Sequence, residues 1–68
     1  MLMTELRKQK GLTMSGLARR AEMHVSSISQ IENGHLRPYP RQAQKIASAL
    51  DWRGDVSDLF KEKGGETQ

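Results

Sequence analysis

The side chains best suited to chemistry are crowded into one short run, Ser26, Ser27, Ser29 and Gln30, within the stretch Val25 to Asn33. Their types suit recognition better than reaction. Short hydroxyls and an amide can donate and accept hydrogen bonds at close range, which fits base edges and phosphate oxygens. A helix face meant only for solvation more often carries Glu, Lys and Arg, which are better helix formers than Ser. The competing account is an ordinary exposed face that happens to be rich in Ser. Catalysis would need a nucleophile beside a base, or paired acids in a cleft. These serines lie on an exposed helix, and 68 residues leave little room for a pocket, so no enzyme is expected. His24 and His35 lack any Cys companion and their spacing fits no standard zinc pattern. Neither a metal nor another cofactor is expected, and no small-molecule ligand is indicated. The two histidines read as a cap-like residue and a loop residue.

The elements that must position this run can be read on either side of it. Leu17, Ala18 and Ala21 stripe one short helix, and Val25, Ile28 and Ile31 stripe a second. Between them, Glu22-Met23-His24 is long enough only for an abrupt change of direction. Ala18 is small where two steeply crossing helices need close backbone approach. The pattern describes a helix-turn-helix unit, whose second helix lies in the DNA major groove.

Composition narrows the partners. The chain has one domain's length, near the size at which folding buries only about 60% of the surface. It has no cysteine, hence no disulfide framework or thiolate metal site. No apolar run approaches the roughly 20 residues of a membrane span, and no signal-peptide pattern is present. A cytoplasmic protein without a membrane partner is the expectation. The net charge of +3 is unevenly placed. Residues 1 to 42 hold seven Lys/Arg against three Asp/Glu, whereas residues 43 to 68 hold four against five. A basic front half fits a polyanion.

In chain order, Leu2, Met3 and Leu6 predict a first helix ending near Lys10, with Gly11 as its stop. Arg7, Lys8 and Lys10 place positive charge at its C-terminal end, where the helix dipole favours it. Leu12 reads as a core anchor and Thr13 as the N-cap of the second helix. Gly16 inside that helix has no sequence-level reason. Gly34 closes the third helix, and the prolines at 38 and 40 make the following segment extended. Pro40 opens a fourth helix that buries Ala43, Ile46, Ala47 and Leu50. Trp52 is expected to fold back as a lid on the core, and Asp55 or Ser57 to start a last helix with Val56, Leu59 and Phe60. Residues 61 to 68 have no apolar side chain and are expected to form a polar, fraying tail. Glu32 reads as an intramolecular partner for a nearby Arg rather than a base reader.

These residues resemble the Xre family, the helix-turn-helix domain of lambdoid phage repressors, Cro proteins and many bacterial regulators. The likeness rests on Leu6-Arg7-Lys8, Lys10-Gly11-Leu12-Thr13, Leu17-Ala18 and the run Ser27-Ile28-Ser29-Gln30-Ile31-Glu32-Asn33-Gly34. It continues in Pro40, in Lys45-Ile46-Ala47-Ser48-Ala49-Leu50 and in Asp58-Leu59-Phe60, so that it covers residues 3 to 60. The resemblance implies an all-α, five-helix bundle of the lambda-repressor type over residues 1 to 60. It also implies a sequence-specific, repressor-like transcriptional regulator that binds double-stranded operator DNA, from a bacterium, phage or mobile element. Carried over by position, the base-reading places fall on Val25, Ser26 and Gln30, with Ser27 and Ser29 alongside. The phosphate-facing places fall on Asn33 and Arg37. A homodimer is implied, and a near-palindromic site is expected for it; the apolar residues Trp52, Leu59 and Phe60 are the candidate pairing surface, with a purely core place as the other reading of Trp52. The alternative is an antitoxin or adaptor that acts mainly through protein contacts, since a fold does not dictate a function.

Four positions depart from the family pattern. Met14 replaces the usual phosphate-binding Gln at the start of the second helix, and Glu22 replaces a turn Gly whose backbone is left-handed. His24 stands where Ser or Thr usually caps the third helix. The loop around Trp52 to Gly54 is about two residues longer than is common.

Overall fold

Four short helices end in the same way, and these endings set the directions of the chain. In the computed structural model, which describes residues 1–61, the helices are α1 (Leu2–Gln9), α2 (Met14–Ala21), α3 (Val25–Glu32) and α4 (Pro40–Ala49). After each helix one residue turns left-handed: Gly11, Glu22, Gly34 and Asp51, with φ of 72°, 57°, 79° and 57°. At each, the next amide reaches back to the last turn: Leu12 N–H to the Arg7 carbonyl, Met23 to Ala18, His35 to Gln30 and Trp52 to Ala47. These bonds satisfy carbonyls that a helix end otherwise leaves unpaired.

Two of the four positions are glycine, for which a positive φ carries no Cβ penalty. Glu22 adopts the left-handed geometry that the family's turn requires, at φ 57° and ψ 47°. Its Cβ then crowds the following carbonyl, at a cost of about 1 kcal/mol. Glu22→Gly is therefore expected to stabilise the fold by about 1 kcal/mol, or roughly 5 °C in melting temperature for a chain of this length. A thermal melt of the two proteins checks it; an equal or lower midpoint would show that Glu22 is not strained.

The N-termini are capped unequally. Thr13 accepts a hydrogen bond from Gly16 N–H at 2.9 Å, as its position before α2 predicts. A Cβ at Gly16 would lie 3.3 Å from that Thr13 hydroxyl and 3.5 Å from Leu12 Cδ2. Glycine thus makes room for the cap, a reason that the sequence concealed. His24 caps α3 without a side-chain hydrogen bond. Pro40 opens α4, and the Gln42 side chain accepts from the Tyr39 N–H at 3.0 Å.

Among the described residues six large side chains are completely enclosed: Met3, Leu17, Ile28, Ile31, Ile46 and Leu59. They come from every helix, so the core joins all elements. α2 packs against both α3 and α4, and Ala18, Ala21 and Ala47 keep these contacts close. Ala43, Ile46, Ala47 and Leu50 are buried as their spacing predicts.

Three expectations need correction. The last element, Val56–Phe60, is a 3-10 helix and not a fifth α-helix. Five residues are too few to repay α-helix nucleation. At three residues per turn Val56 and Leu59 align on one face, which is how Leu59 reaches the core. Asp55 starts the element by accepting from the Ser57 N–H at 3.1 Å. That bond, and a second from the Ser57 hydroxyl, hold the Asp55 carboxyl below the usual carboxylate range.

Leu12 is only half-buried and lies outside the core cluster, because the α1 ending carries its side chain over Gly16. Val25 is 45% exposed although it heads the stripe with Ile28 and Ile31. Three-residue steps lag a 3.6-residue turn by about 60° each, so Val25 and Ile31 stand about 120° apart around α3. Only two of the three can face the core. The expected polar tail at 61 to 68 lies, apart from Lys61, outside the described residues. Among the described residues no helix is long and apolar enough to cross a membrane.

Candidate nucleic-acid interface

The third helix is held from behind by apolar side chains and from its C-terminal end by charge. Ile28 and Ile31 are 0% and 1% exposed. Glu32 meets Arg7 of α1 through two hydrogen bonds, Arg7 Nε to Oε2 at 2.8 Å and Arg7 Nη2 to Oε1 at 3.3 Å. The third nitrogen, Nη1, donates to the Leu12 carbonyl at 2.8 Å. Both side chains are nearly buried, 10% and 3% exposed. Glu32 is thus the intramolecular acid that the sequence suggested. Arg7 does more than complement the α1 dipole. Its spacing of four from Met3 puts it on the buried face of α1, a signal already present in the sequence.

What α3 turns outward follows from the same 100° per residue. Ser26, Ser29, Gln30 and Asn33 fall within about 100° of one another, opposite Ile28. Ser26, Gln30 and Asn33 are exposed, Ser29 is half-buried, and the Asn33 amide meets the Ser29 hydroxyl at 3.5 Å. Val25 flanks this face on one side and the half-buried Ser27 on the other. The structure therefore groups Val25, Ser26, Ser29, Gln30 and Asn33 on one accessible surface, with Ser27 at its edge.

Arg37 is exposed on the segment that leaves α3. From Asn33 to Leu50 the chain carries Arg37, Arg41 and Lys45 and not one Asp or Glu. A basic stretch without an acid, following the polar helix in the chain, is the charge pattern expected of a chain that meets a polyanion. Met14, where the family has a phosphate-binding Gln, is half-buried against the core and offers no hydrogen bond there.

The candidate pairing residues separate. Leu59 is completely enclosed and has no surface to offer a second copy. Trp52 folds back onto Gly54, where a Cβ would come within 2.7 Å of the indole ring, and its Nε1 donates to the Asp55 carbonyl at 2.9 Å. The longer loop is closed by its own tryptophan. Trp52 and Phe60 are both half-buried against the core, and Phe60 lines an open apolar groove of about 910 Å³ shared with Leu36, Pro38 and Val56.

A family model described as helix-turn-helix matches residues 3–53. No curated protein and no solved structure matches the chain. The matched span runs from the start of α1 past α4 and contains the α2–turn–α3 unit with its left-handed Glu22. With three quarters of the chain inside that span, and with α3 buried on one side and open on the other, the protein belongs to the Cro/C1-type helix-turn-helix family of DNA-binding regulatory domains.

Proposed function

We propose that the protein is a sequence-specific, repressor-like regulator that lays α3 into the major groove of double-stranded operator DNA. The observation that carries this is the division of α3. Ile28, Ile31 and Glu32 are spent on the fold, whereas Val25, Ser26, Gln30 and Asn33 are free to meet a ligand. In this reading Gln30 pairs its amide with the N6 and N7 edge of an adenine, and Val25 meets a thymine methyl. Ser26, Ser27 and Ser29 supply short hydroxyls to bases or phosphates, and Asn33 and Arg37 hold the backbone.

Two copies are proposed to bind a near-palindrome with half-sites about 34 Å apart. The domain measures 34 × 24 × 23 Å, so neighbours at that separation meet only at their edges. The groove around Phe60 is the edge that leaves apolar surface open to a second copy. DNA sites selected from a random duplex library check this; a single unrepeated half-site bound one to one would overturn it.

The deciding experiment separates reading from holding. Gln30→Ala is expected to cost about 1–3 kcal/mol on the selected site and to blur the preference at one base position. Arg37→Ala is expected to weaken all sequences about equally and to lower the salt slope by about one unit. Titrations of both variants on selected and scrambled duplexes at several salt concentrations give the answer. If Gln30→Ala left affinity and preference intact, α3 would not be the reading helix. Binding that failed on every duplex, at low salt as well, would favour a module acting through protein contacts.

A further inference from the structure

Two large apolar side chains stand exposed among the described residues, Val25 at 45% and Tyr39 at 72%. They bracket α3 and the segment that follows it. The family resemblance gives Val25 a place, and nothing so far gives one to Tyr39.

The segment from His35 to Tyr39 alternates: His35, Arg37 and Tyr39 are exposed, whereas Leu36 and Pro38 are half-buried. Leu36, Arg37 and Pro38 line the apolar groove, so the segment is fastened there while the Tyr39 ring is left to solvent. Tyr39 is also held more firmly than a loop residue need be. It lies between two prolines, with φ −67° and ψ 159°. Its N–H donates to the Gln42 side chain at 3.0 Å, and its carbonyl accepts from the Ala43 N–H at 2.8 Å. A rigid backbone that presents a large ring to solvent lowers the entropic cost of using that ring in binding. The nearest charged neighbours in sequence, Arg37 and Arg41, are both cationic and exposed.

From this placement we infer that Tyr39 is a further DNA-holding residue, whose hydroxyl donates to a backbone phosphate oxygen while its ring packs on the adjoining sugar. The inference rests on the DNA-binding reading above and adds to it a contact that carries no charge. That last property makes it testable apart from the arginines. A neutral phosphate contact strengthens binding to every sequence, but it releases no counterion beyond those the cations release.

The experiment is a titration of the full chain and of Tyr39→Phe, Tyr39→Ala and Arg37→Ala. Each is run on a duplex with one half-site, a duplex with two, and a scrambled duplex, across a salt series. Tyr39→Phe is expected to weaken all three duplexes about tenfold, as a hydrogen bond to a charged group implies, with the salt slope unchanged. Tyr39→Ala, which also removes the ring, is expected to fall further. Arg37→Ala is expected to change the slope. Because Tyr39 is exposed, the melting temperatures of its variants should match the parent's, which keeps a loss of binding from being a loss of fold. Tyr39→Phe binding as tightly as the parent would overturn the inference. So would a loss confined to the duplex with two half-sites, which would place the ring between copies of the protein. A parent chain that bound no duplex at low salt would overturn the DNA-binding reading itself, a result seen before any Tyr39 variant is measured.

Discussion

Glu32→Ala is expected to destabilise the domain by about 3–5 kcal/mol, the scale for removing one partner of a buried ion pair. The Arg7 guanidinium would keep its hydrogen bond to the Leu12 carbonyl but lose both to the carboxylate. At 10% side-chain exposure, water has little room to replace them. A domain of 68 residues holds on the order of 5 kcal/mol in all, so the variant should be largely unfolded near body temperature. Urea denaturation measures the loss. Replacing both partners, Arg7→Met with Glu32→Leu, should restore most of the stability, because the cost lies in the orphaned charge more than in the missing attraction. A single variant that lost less than about 1 kcal/mol would mean that the pair behaves as if it were on the surface.

Ile28→Ala is expected to cost about 2–5 kcal/mol, the range for cutting a fully buried aliphatic side chain down to Ala. Ile28 is 0% exposed and belongs to the same buried cluster as Leu17 and Ile46. The value within that range depends on how far Ala18 and Ala21 of α2 can settle into the space. Denaturation again measures it. The same variant makes a sharp comparison with Gln30→Ala. Ile28 faces inward, so its loss should reduce the folded fraction while the folded molecules keep their base preference. Gln30→Ala should do the reverse, leaving the melting temperature in place and changing the preference. An Ile28→Ala protein that stayed folded yet read a different sequence would mean that the core sets the tilt of α3 on DNA.

Much of the fold was legible because its signals are local. The stripes at Leu17, Ala18 and Ala21 and at Ala43, Ile46, Ala47 and Leu50 follow helix periodicity, and periodicity needs no knowledge of the partner surface. Thr13 capped α2, and Gly11 and Gly34 ended their helices, because cap chemistry is decided within a few residues. The left-handed Glu22 came from the resemblance alone, since nothing in a glutamate suggests a positive φ. Asp51 makes the same turn with no glycine to announce it. Its one signal was an Asp, a residue that tolerates that geometry, placed directly after the last buried position.

By itself the sequence determined that the chain is helical, that the second and third helices join through a short turn, and that polar side chains of α3 face away from Ile28 and Ile31. Each of these depends on spacing along a single element. Only the tertiary structure decided which Arg meets Glu32, that Leu59 is sealed in the core while Phe60 stays at an open groove, and that Trp52 closes its own loop over Gly54. The last element became a 3-10 helix because its length and the reach of Leu59 into the core outweighed propensity. For the ion pair and for the sealing of Leu59 the physical reason is the same. Periodicity tells which side of an element is apolar, but the depth of burial, and the partner for a charge, depend on elements that lie 25 or more residues away along the chain, as Arg7 and Glu32 do.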